Sequence, residues 1–296
     1  MGECIPKFCE AINAGDAHAL SLAPLVRELA LSLWVDEHDR PSPKPYEKTM
    51  NGILSFRNLT KLDMRLCSTS PAIMEQFGKL VQLQWLRTWG CRETEDWDEE
   101  SHSTLSNLQS LHTLDCQEDG NSFSRHLACV SMKNLRILKS SDFKVIEALL
   151  TTVPSVQLKE LWLTQHYNGD YSLLWNYLAG VTSLTHLSLP YLTLQEGPPA
   201  SLNFPFQELQ YLHIHVAFAP RFENQPLKVM RIDTESNSRQ AMVEVRQHWR
   251  GVVFPHVEYL ETDLLYDELI EIPIVFWSKF LLNINVVGFK SAEWDG

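Results

Sequence analysis

The stretch FRNLTKLDMRLC, residues 56–67, places apolar side chains at an uneven but ordered spacing. Leu59 is followed three residues later by Leu62, two residues later by Met64 and three residues later by Cys67. Side chains two residues apart on a strand point to the same face, so Leu62 and Met64 are expected to be buried together. Whether this spacing is local or repeated decides the fold class.

The same spacing recurs along the chain, with apolar residues at the first and fourth positions of each copy and, in most copies, at the sixth position. The copies begin at Val26, Leu59, Leu83, Leu111, Leu135, Leu158, Leu184, Leu209, Leu227, Val257 and Leu281. From Leu59 to Leu209 the copies follow one another at intervals of 24, 28, 24, 23, 26 and 25 residues. Such periods are typical of leucine-rich repeats. The last copy is assigned as Leu281, Ile284 and Val286.

The pattern predicts an α/β leucine-rich-repeat solenoid. One repeat cannot close a core alone, so each is expected to add one strand that pairs in parallel with its neighbours. Helical spacing of apolar residues predicts the returning segments at 70–80, 143–153, 171–181, 238–249 and 266–272. The expected fold is a horseshoe with parallel strands on its concave face and helices on its convex face.

The chain divides into two parts by its pattern. Residues 1–24 predict two short helices that cap the open end of the core, which a solenoid requires. Residues 25–296 are expected to form about ten irregular repeats. The acidic run at 93–100 favours a solvated loop, with a dock for a basic partner tail as the alternative.

Cysteine usage indicates reduced thiols. Cys67 and Cys91 follow their strands at the position where leucine-rich repeats turn an Asn or Cys inward. A small buried thiol suits that place, so we expect both to have a packing role and to form no disulfide. Cys4 and Cys9 have no assigned role.

Composition limits the classes of partner. The 296 residues carry a net charge of -12, which disfavours nucleic acid and anionic membrane as partners. No run of about eighteen apolar residues is present, and the N-terminus has no secretory signal pattern. The expected location is the cytoplasm or the nucleus.

No catalytic motif stands out, and we expect neither enzymatic activity nor a cofactor. The chain lacks the glycine-rich phosphate loops, the serine nucleophile elbow and the paired zinc cysteines. His186, His213 and His215 are expected on one strand face, where three imidazoles could hold a metal. No acidic ligand stands beside them at a recognised spacing, so we interpret them as polar contact residues and predict no metal.

The third, fifth and seventh positions of each copy are expected on the concave face, because side chains alternate along a strand. Tryptophan, tyrosine and arginine, which dominate binding hot spots, are frequent there. Rings at these positions favour a protein-binding surface, although they could also pack on one another across strands. The candidate partner-binding residues are Arg65, Trp85, Arg87, Trp89, Trp162, His186, Tyr211, His213, His215, Arg231, Tyr259 and Glu261.

Four stretches resemble the repeat regions of F-box proteins, especially those of fungi. They are LAPLVRELALSLW (22–34), FRNLTKLDMRLC (56–67), YSLLWNYLAGVTSLTHLSLPYL (171–192) and FPHVEYLETD (254–263). The resemblance implies a non-catalytic substrate receptor of an SCF-type ubiquitin ligase, whose repeats hold the substrate protein. In that family an F-box with a Leu-Pro opening precedes the repeats and docks a Skp-type adaptor.

No F-box is evident in this chain. About twenty-five residues precede the first repeat, and IPKFCEAINAGD (5–16) lacks the Leu-Pro opening. A Skp-type adaptor is therefore not an expected partner on the sequence alone, whereas a protein partner is. A structural or self-assembling repeat protein with no link to a ligase is the alternative function.

Overall fold

The computed structural model describes residues 4–32, 51–69, 75–93, 105–117, 127–128, 130–140, 142–151, 157–233, 243, 245–262 and 277–289. The chain forms two compact units, Met1–Val156 and Gln157–Gly296. Within the described residues, no helix combines the length and the apolarity that crossing a bilayer requires.

The first unit contains a sheet of parallel strands that follow one another as the repeats do. Its elements are α1 (Cys4–Asn13), α2 (Ala17–Leu22), a 3-10 turn (Ala23–Leu25), β1 (Glu28–Ser32), β2 (Lys61–Arg65), β3 (Ser68–Thr69), β4 (Trp85–Trp89), β5 (Arg92–Glu93), β6 (Thr113–Gln117), β7 (Ile137–Ser140) and α3 (Phe143–Thr151). Strands β1, β2, β4, β6 and β7 pair in that order, and all pairs are parallel. The short strands β3 and β5 pair separately.

The second unit has the same construction. Its elements are β8 (Glu160–Leu163), α4 (Tyr171–Leu178), β9 (His186–Ser188), β10 (Tyr211–His215), a 3-10 turn (Ala219–Phe222), β11 (Val229–Asp233), β12 (Tyr259–Thr262) and β13 (Val286–Phe289). The six strands described in this unit pair in chain order, again in parallel.

The apolar residues at the fourth position lie side by side on neighbouring strands within each unit. They are Leu29, Leu62, Leu86, Leu114 and Leu138 in the first unit, and Leu161, Leu187, Leu212, Met230 and Leu260 in the second. All are buried, as are the first-position residues from Leu59 to Val257. The predicted fold class, an α/β leucine-rich-repeat solenoid, is confirmed.

The predicted role of the two repeat cysteines is also confirmed. Cys67 and Cys91 are buried thiols, and no disulfide joins the described cysteines. The Sγ of Cys67 contacts the backbone carbonyl oxygen of Leu31 at 3.9 Å, and that of Cys91 contacts the oxygen of Met64 at 3.7 Å. Each thiol therefore touches the strand of the preceding repeat, as a weak donor toward its carbonyl groups.

The register of the last copy differs from the prediction. The residue that pairs with Leu260 of β12 is Val287, so the copy begins three residues later than the spacing indicated. Val286, which the prediction placed on the buried face, is 49% exposed. The predicted first residue, Leu281, is buried but bridges Phe254, which precedes the repeat in β12. Leu281 is therefore a buried residue that precedes the repeat, and its spacing resembles that of a repeat start.

Two of the predicted returning helices are described in full. Helix α3 lies within 143–153 and helix α4 within 171–181. Helical turns are present at 75–77 and 245–248, inside two further predicted helices. The other predicted segments lie outside the described residues, as does the acidic run after Glu93.

Helix α4 begins with an acidic cap. The carboxylate of Asp170 accepts a hydrogen bond from the Ser172 backbone N–H at 2.7 Å and another from its hydroxyl at 2.6 Å. These bonds stabilise the ionised carboxylate and lower the pKa of Asp170. An Asp before the first turn thus fixes where this helix starts.

Helix α1 packs against the segment that leads into the second repeat. Cys9 and Ile12 are buried, and the ring of Phe8 stacks on that of Phe56 with centroids 5.9 Å apart. Gly52 lies so close that a Cβ placed on it would be 2.6 Å from the Cβ of Cys9. The helix covers apolar side chains at the start of the first unit, and the assignment of 1–24 as a cap stays a prediction.

Candidate functional site

The open face of each unit is the side of its paired strands opposite to the buried leucines. Register places the candidate residues on this face in rows across the strands. In the first unit one row contains Glu28, Lys61, Trp85, Thr113 and Ile137. In the second unit two rows contain Glu160, His186, Tyr211, Val229, Tyr259 and Val286, and then Trp162, Ser188, His213, Arg231, Glu261 and Gly288.

On the first unit, Trp85 lies beneath a cation from its own chain. The Nζ of Lys61 is 4.9 Å from the centre of the Trp85 ring, within the usual range of a cation–π contact. The same Nζ is 3.4 Å from the carboxylate of Glu28. This part of the open face thus combines a ring, a cation and a carboxylate on three neighbouring strands.

The remaining candidates of the first unit are charged residues in ion pairs and one exposed ring. Arg87 pairs with the buried carboxylate of Asp115 at 3.2 Å, and Arg65 pairs with Asp63 at 3.0 Å. Trp89, in register with Arg65, is 45% exposed. The four predicted contact residues of this unit, which include Trp85, therefore lie on two adjacent strands.

The second unit contains an aromatic cluster, formed by Trp162, His186 and Tyr211. Ring centroids are 4.8 Å apart between Trp162 and Tyr211, 5.9 Å between Trp162 and His186, and 5.8 Å between His186 and Tyr211. The planes are inclined by only 26–37° to one another. All three side chains are partly exposed.

The geometry of this cluster depends on a small residue at its centre. Trp162 and Tyr211 stand two strands apart, which is roughly 10 Å at the usual strand spacing, yet their rings are 4.8 Å apart. Their rings must therefore lean toward each other across β9. The residue of β9 in register with Trp162 is Ser188, whose short side chain leaves room for this approach.

Glu160 holds the cluster from one side. One of its carboxylate oxygens, Oε2, accepts a hydrogen bond from the Trp162 indole Nε1 at 2.9 Å. The other, Oε1, lies 4.0 Å from His186 Nδ1, which is beyond hydrogen-bond distance. His186 Nδ1 instead lies 2.9 Å from the Thr185 hydroxyl. The tryptophan ring is thereby oriented by a carboxylate that keeps one oxygen available.

Arg231 is a charged neighbour of Tyr211 in the cluster. Burial raises the pKa of the Tyr211 hydroxyl, and the contact with Arg231 acts in the opposite direction. Arg231 is in turn 3.4 Å from the carboxylate of Glu261. Tyr211 is therefore a neutral phenol at physiological pH, and the guanidinium near it already has a carboxylate partner.

Behind the cluster, Ser188, His213 and Asp233 form a chain of hydrogen bonds. Ser188 Oγ is 3.0 Å from His213 Nδ1, and His213 Nε2 is 2.7 Å from Asp233 Oδ2. An ionised carboxylate only accepts, so Nε2 donates to Asp233 and Nδ1 can accept from the serine hydroxyl. Serine hydrolases use the same residue types, but Ser188 is 4% exposed and leaves no room for an acyl substrate.

The third histidine of the candidate set, His215, is buried and is not part of the exposed surface. His215 is 1% exposed and lies beside Phe218, so it cannot contact a partner directly. His186 stacks in the cluster and His213 bonds to Ser188 and Asp233. Among the described residues, no group of three or more His, Cys, Asp or Glu side chains converges on a point that could hold a metal.

The sequence analysis did not select two smaller residues of the site, Glu160 and Ser188. Glu160 and Ser188 were expected on the same face but were not selected, because hot-spot composition favours rings and arginine. Their contribution follows from register: each stands beside a ring on a neighbouring strand. A search of the third, fifth and seventh positions of each copy for carboxylates and small residues beside aromatic residues would have found both.

Comparisons with known proteins return distant structural similarity. No protein-family model matches the chain, and no curated protein is similar to it. Solved structures that match are of leucine-rich-repeat proteins. An internalin, inlF, from Listeria monocytogenes has a TM-score of 0.37 at 12% identity, covering 95% of this chain and 75% of that one.

Two further structures match at similar distance. Rad7, from the Rad7 and Elc1 complex in yeast, has a TM-score of 0.41 at 14% identity, with 90% of this chain and 71% of that chain covered. TLR13, from a TLR13–ssRNA13 complex, has a TM-score of 0.44 at 14% identity, with 93% and 41% covered. At these distances the function has to be argued from the chain's own residues.

Proposed function

We propose that this chain is a non-enzymatic recognition protein that binds a partner protein on the open face of residues 157–296. The observation that carries the proposal is the aromatic cluster, in which Trp162, His186 and Tyr211 stand partly exposed within 5.9 Å of one another. Clustered rings at the centre of a surface are typical of binding hot spots.

The cluster is ordered before any partner arrives. Trp162 is bonded to Glu160, and the ring of Tyr211 packs against that of Trp162. Side chains that are already fixed lose little conformational entropy on association, so more of the contact free energy contributes to affinity. The first unit supports the same function with a second patch, where Trp89 is exposed beside Arg65.

The experiment is selection of a displayed random-peptide library on the full-length chain, followed by retesting of the selected peptides on variants. Trp162→Ala is expected to lose most of the binding, and His186→Ala a smaller part. Leu173→Ala is the matched control, because Leu173 is an exposed apolar residue on α4. Melting curves establish that each variant is folded. Selected peptides that bind folded Trp162→Ala and His186→Ala as well as the parent chain would overturn the proposal.

The narrower role is that of substrate receptor in an SCF-type ubiquitin ligase, in the cytoplasm or the nucleus. Its support is the resemblance of the repeats to those of F-box proteins. It requires that the full chain bind a Skp-type adaptor, which co-purification of the two proteins measures. No complex at micromolar concentrations would remove the ligase role and leave the recognition function standing.

The alternative is a self-assembling repeat protein that uses its exposed rings to bind further copies. Trp89 and Tyr259 are the rings on the open faces that favour it, at 45% and 36% exposure. Sedimentation velocity over a hundredfold range of concentration separates the two functions. A mass of 34.1 kDa at every concentration excludes self-association, whereas a mass that rises with concentration and falls in Trp89→Ala supports it.

A further inference from the structure

We propose that Asn168 is a site of spontaneous deamidation, and that the isoaspartate formed there loosens the start of helix α4. Asn168 lies in the loop that joins β8 to α4 in the second unit. The inference goes beyond the recognition function and does not depend on it, because it concerns the covalent chemistry of the chain itself.

The reaction needs only water and an asparagine whose following residue does not obstruct it. The backbone nitrogen of that residue attacks the side-chain carbonyl carbon, Cγ, and a C–N bond forms while the amide leaves as ammonia with the proton of the attacking nitrogen. Water then opens the resulting five-membered succinimide at either carbonyl group, which gives aspartate or its β-linked isomer, isoaspartate. Glycine is the least obstructive following residue, because it has no Cβ and the widest choice of backbone conformations.

Two Asn-Gly pairs occur in the sequence, at 51–52 and 168–169. The first pair lies in a helical turn, where Gly52 is buried and its Cβ position is 2.6 Å from the Cβ of Cys9. Ring closure there requires the turn to open and Gly52 to move out of its contact with α1. Such local opening costs free energy and slows any reaction that depends on it. The pair at 51–52 is therefore protected by the fold.

The second pair has no comparable protection. Asn168 is exposed and lies outside any helix or strand. Among the described residues no acceptor lies within hydrogen-bond distance of the Gly169 backbone N–H, so no hydrogen bond holds the attacking nitrogen in place. Ring closure has to move the amide away from His166, whose Nδ1 is 3.1 Å from Asn168 Oδ1, but this is one exposed contact. The structure thus distinguishes two pairs that the sequence makes identical.

The packing of Tyr167 explains why glycine follows Asn168. A Cβ built on Gly169 would overlap the Tyr167 ring, which is 1% exposed and has little room to move in a packed interior. Any other residue at 169 would therefore displace a buried ring. The fold requires glycine here, and that glycine makes the asparagine before it labile.

Isoaspartate at 168 would disturb the cap of α4. Its backbone runs through the side-chain carbon, which lengthens the main chain by one methylene group between residues 168 and 169. Asp170 follows directly, and its carboxylate caps the helix by accepting bonds of 2.7 and 2.6 Å from the backbone N–H and the hydroxyl of Ser172. A shift of Asp170 weakens these bonds and leaves a first-turn N–H group without its acceptor. The first turn of α4 is therefore expected to open more often in the modified chain.

The first experiment compares the two asparagines within one sample. The full-length chain is incubated for several weeks at neutral pH and body temperature, and its chymotryptic peptides are followed by mass spectrometry. The peptide that contains Asn168 is expected to gain the mass of an amide exchanged for an acid, in two chromatographic forms. Asn51 is expected to react about tenfold or more slowly. A rate at Asn168 no faster than that at Asn51 would overturn the inference.

Two controls separate the chemistry from the fold. In guanidinium, where the chain is unfolded, the two asparagines are expected to react at similar rates, because both precede glycine. A tenfold difference that persists after unfolding would contradict protection by the fold. Asn168→Gln, which would have to close a six-membered ring, is expected to show no mass gain at this position over the same period. An equal gain in Asn168→Gln would place the modification elsewhere in the peptide and remove Asn168 as the site.

Hydrogen exchange of the α4 amides tests the structural effect. The aged parent chain is expected to exchange several-fold faster at Ser172 and Leu173 than the fresh chain, whereas aged Asn168→Gln is expected to match its fresh form. Freshly purified Asn168→Asp is the matched control, because it carries the charge of the product without the extra methylene group, and it is expected to exchange like the fresh parent. Equal protection of α4 in fresh and aged parent chains, once Asn168 has reacted, would show that isoaspartate does not loosen the helix.

Discussion

Single polar residues decide which side chains of the open face are available to a partner. Ser188 and His213 lie on that face by register, yet both are buried. Buried polar groups have to be hydrogen-bonded, and the bonds from Ser188 to His213 and on to Asp233 meet this need.

Ser188→Ala is expected to lower the free energy of unfolding by about 1–3 kcal/mol, because it leaves the buried Nδ1 of His213 without its partner. Urea unfolding followed by tryptophan fluorescence measures the change. Ser201→Ala is the control: Ser201 is exposed, and its loss is expected to cost less than about 0.5 kcal/mol. Equal effects of the two substitutions would show that the hydrogen bond to His213 contributes nothing.

Cys9 is expected to be inert toward alkylating reagents in the folded chain. It is fully buried in α1, and burial raises the pKa of its thiol to about 11. The thiolate is the reactive form, so labelling by iodoacetamide at pH 8 should be at least about a hundredfold slower than after unfolding in urea. Peptide mass spectrometry measures the modified fraction. Stability falls as pH rises from the ordinary value of 9.0 toward 11, since only the unfolded chain ionises there.

At the scale of elements, the parallel strands are held together by one line of apolar side chains in each unit. Leu161 and Leu187 lie in register on β8 and β9, and both are fully buried. The strands are short, three to five residues for those in the two main ladders. Such strands depend on packing of their neighbours more than on their own pairing.

Leu161→Ala is expected to cost about 2–5 kcal/mol of unfolding free energy, because it opens a cavity between repeats. Leu173→Ala is the matched control, since Leu173 is 51% exposed on α4 and its truncation should cost less than about 0.5 kcal/mol. Guanidinium unfolding compares them. A similar midpoint for both variants would contradict a core built on the fourth positions.

Gly52→Ala tests the packing of the N-terminal helix. The new methyl group would lie 2.6 Å from the Cβ of Cys9 and 2.9 Å from its Cα, so α1 has to move. A loss of about 1–3 kcal/mol is expected, with faster proteolysis of α1. Gly15→Ala is the control: nothing lies within 4 Å of its Cβ position, but its φ of +78° is strained for alanine, at roughly 1–2 kcal/mol. Only Gly52→Ala should make Cys9 accessible to iodoacetamide.

At the scale of the whole molecule, the net charge favours some classes of partner over others. The chain carries a net charge of -12 at pH 7 and has a pI near 5.4. A polyanion such as nucleic acid is repelled, whereas a basic protein segment is attracted.

The chain is accordingly expected not to bind nucleic acid at neutral pH. Titration of the protein into a labelled single-stranded RNA of about twenty nucleotides should leave its anisotropy unchanged at low ionic strength, where electrostatic attraction would be strongest. Titration of the same RNA with polylysine serves as the positive control in the same buffer. Micromolar affinity for the RNA would contradict this expectation.

The repeat class and the two faces of the strands were predictable from spacing alone. A step of two residues fixes which side chains share a face, and the period of about 25 residues identifies the repeat. The inward place of Cys67 and Cys91 followed from the same pattern. The last copy was misplaced because Leu281 is buried in a turn, and spacing does not distinguish a turn leucine from the start of a repeat.

The sequence by itself determined the fold class, the register of most strands and the acidic character of the molecule, because these depend on the periodic order and the total charge of the residues. Only the tertiary structure decided which open-face residues are available. His213 and His215 share the face of Tyr211 but are buried, and Glu160 became a central residue through its bond to Trp162. The reason is that side chains on one face compete for space across neighbouring strands, and that competition depends on distances between repeats.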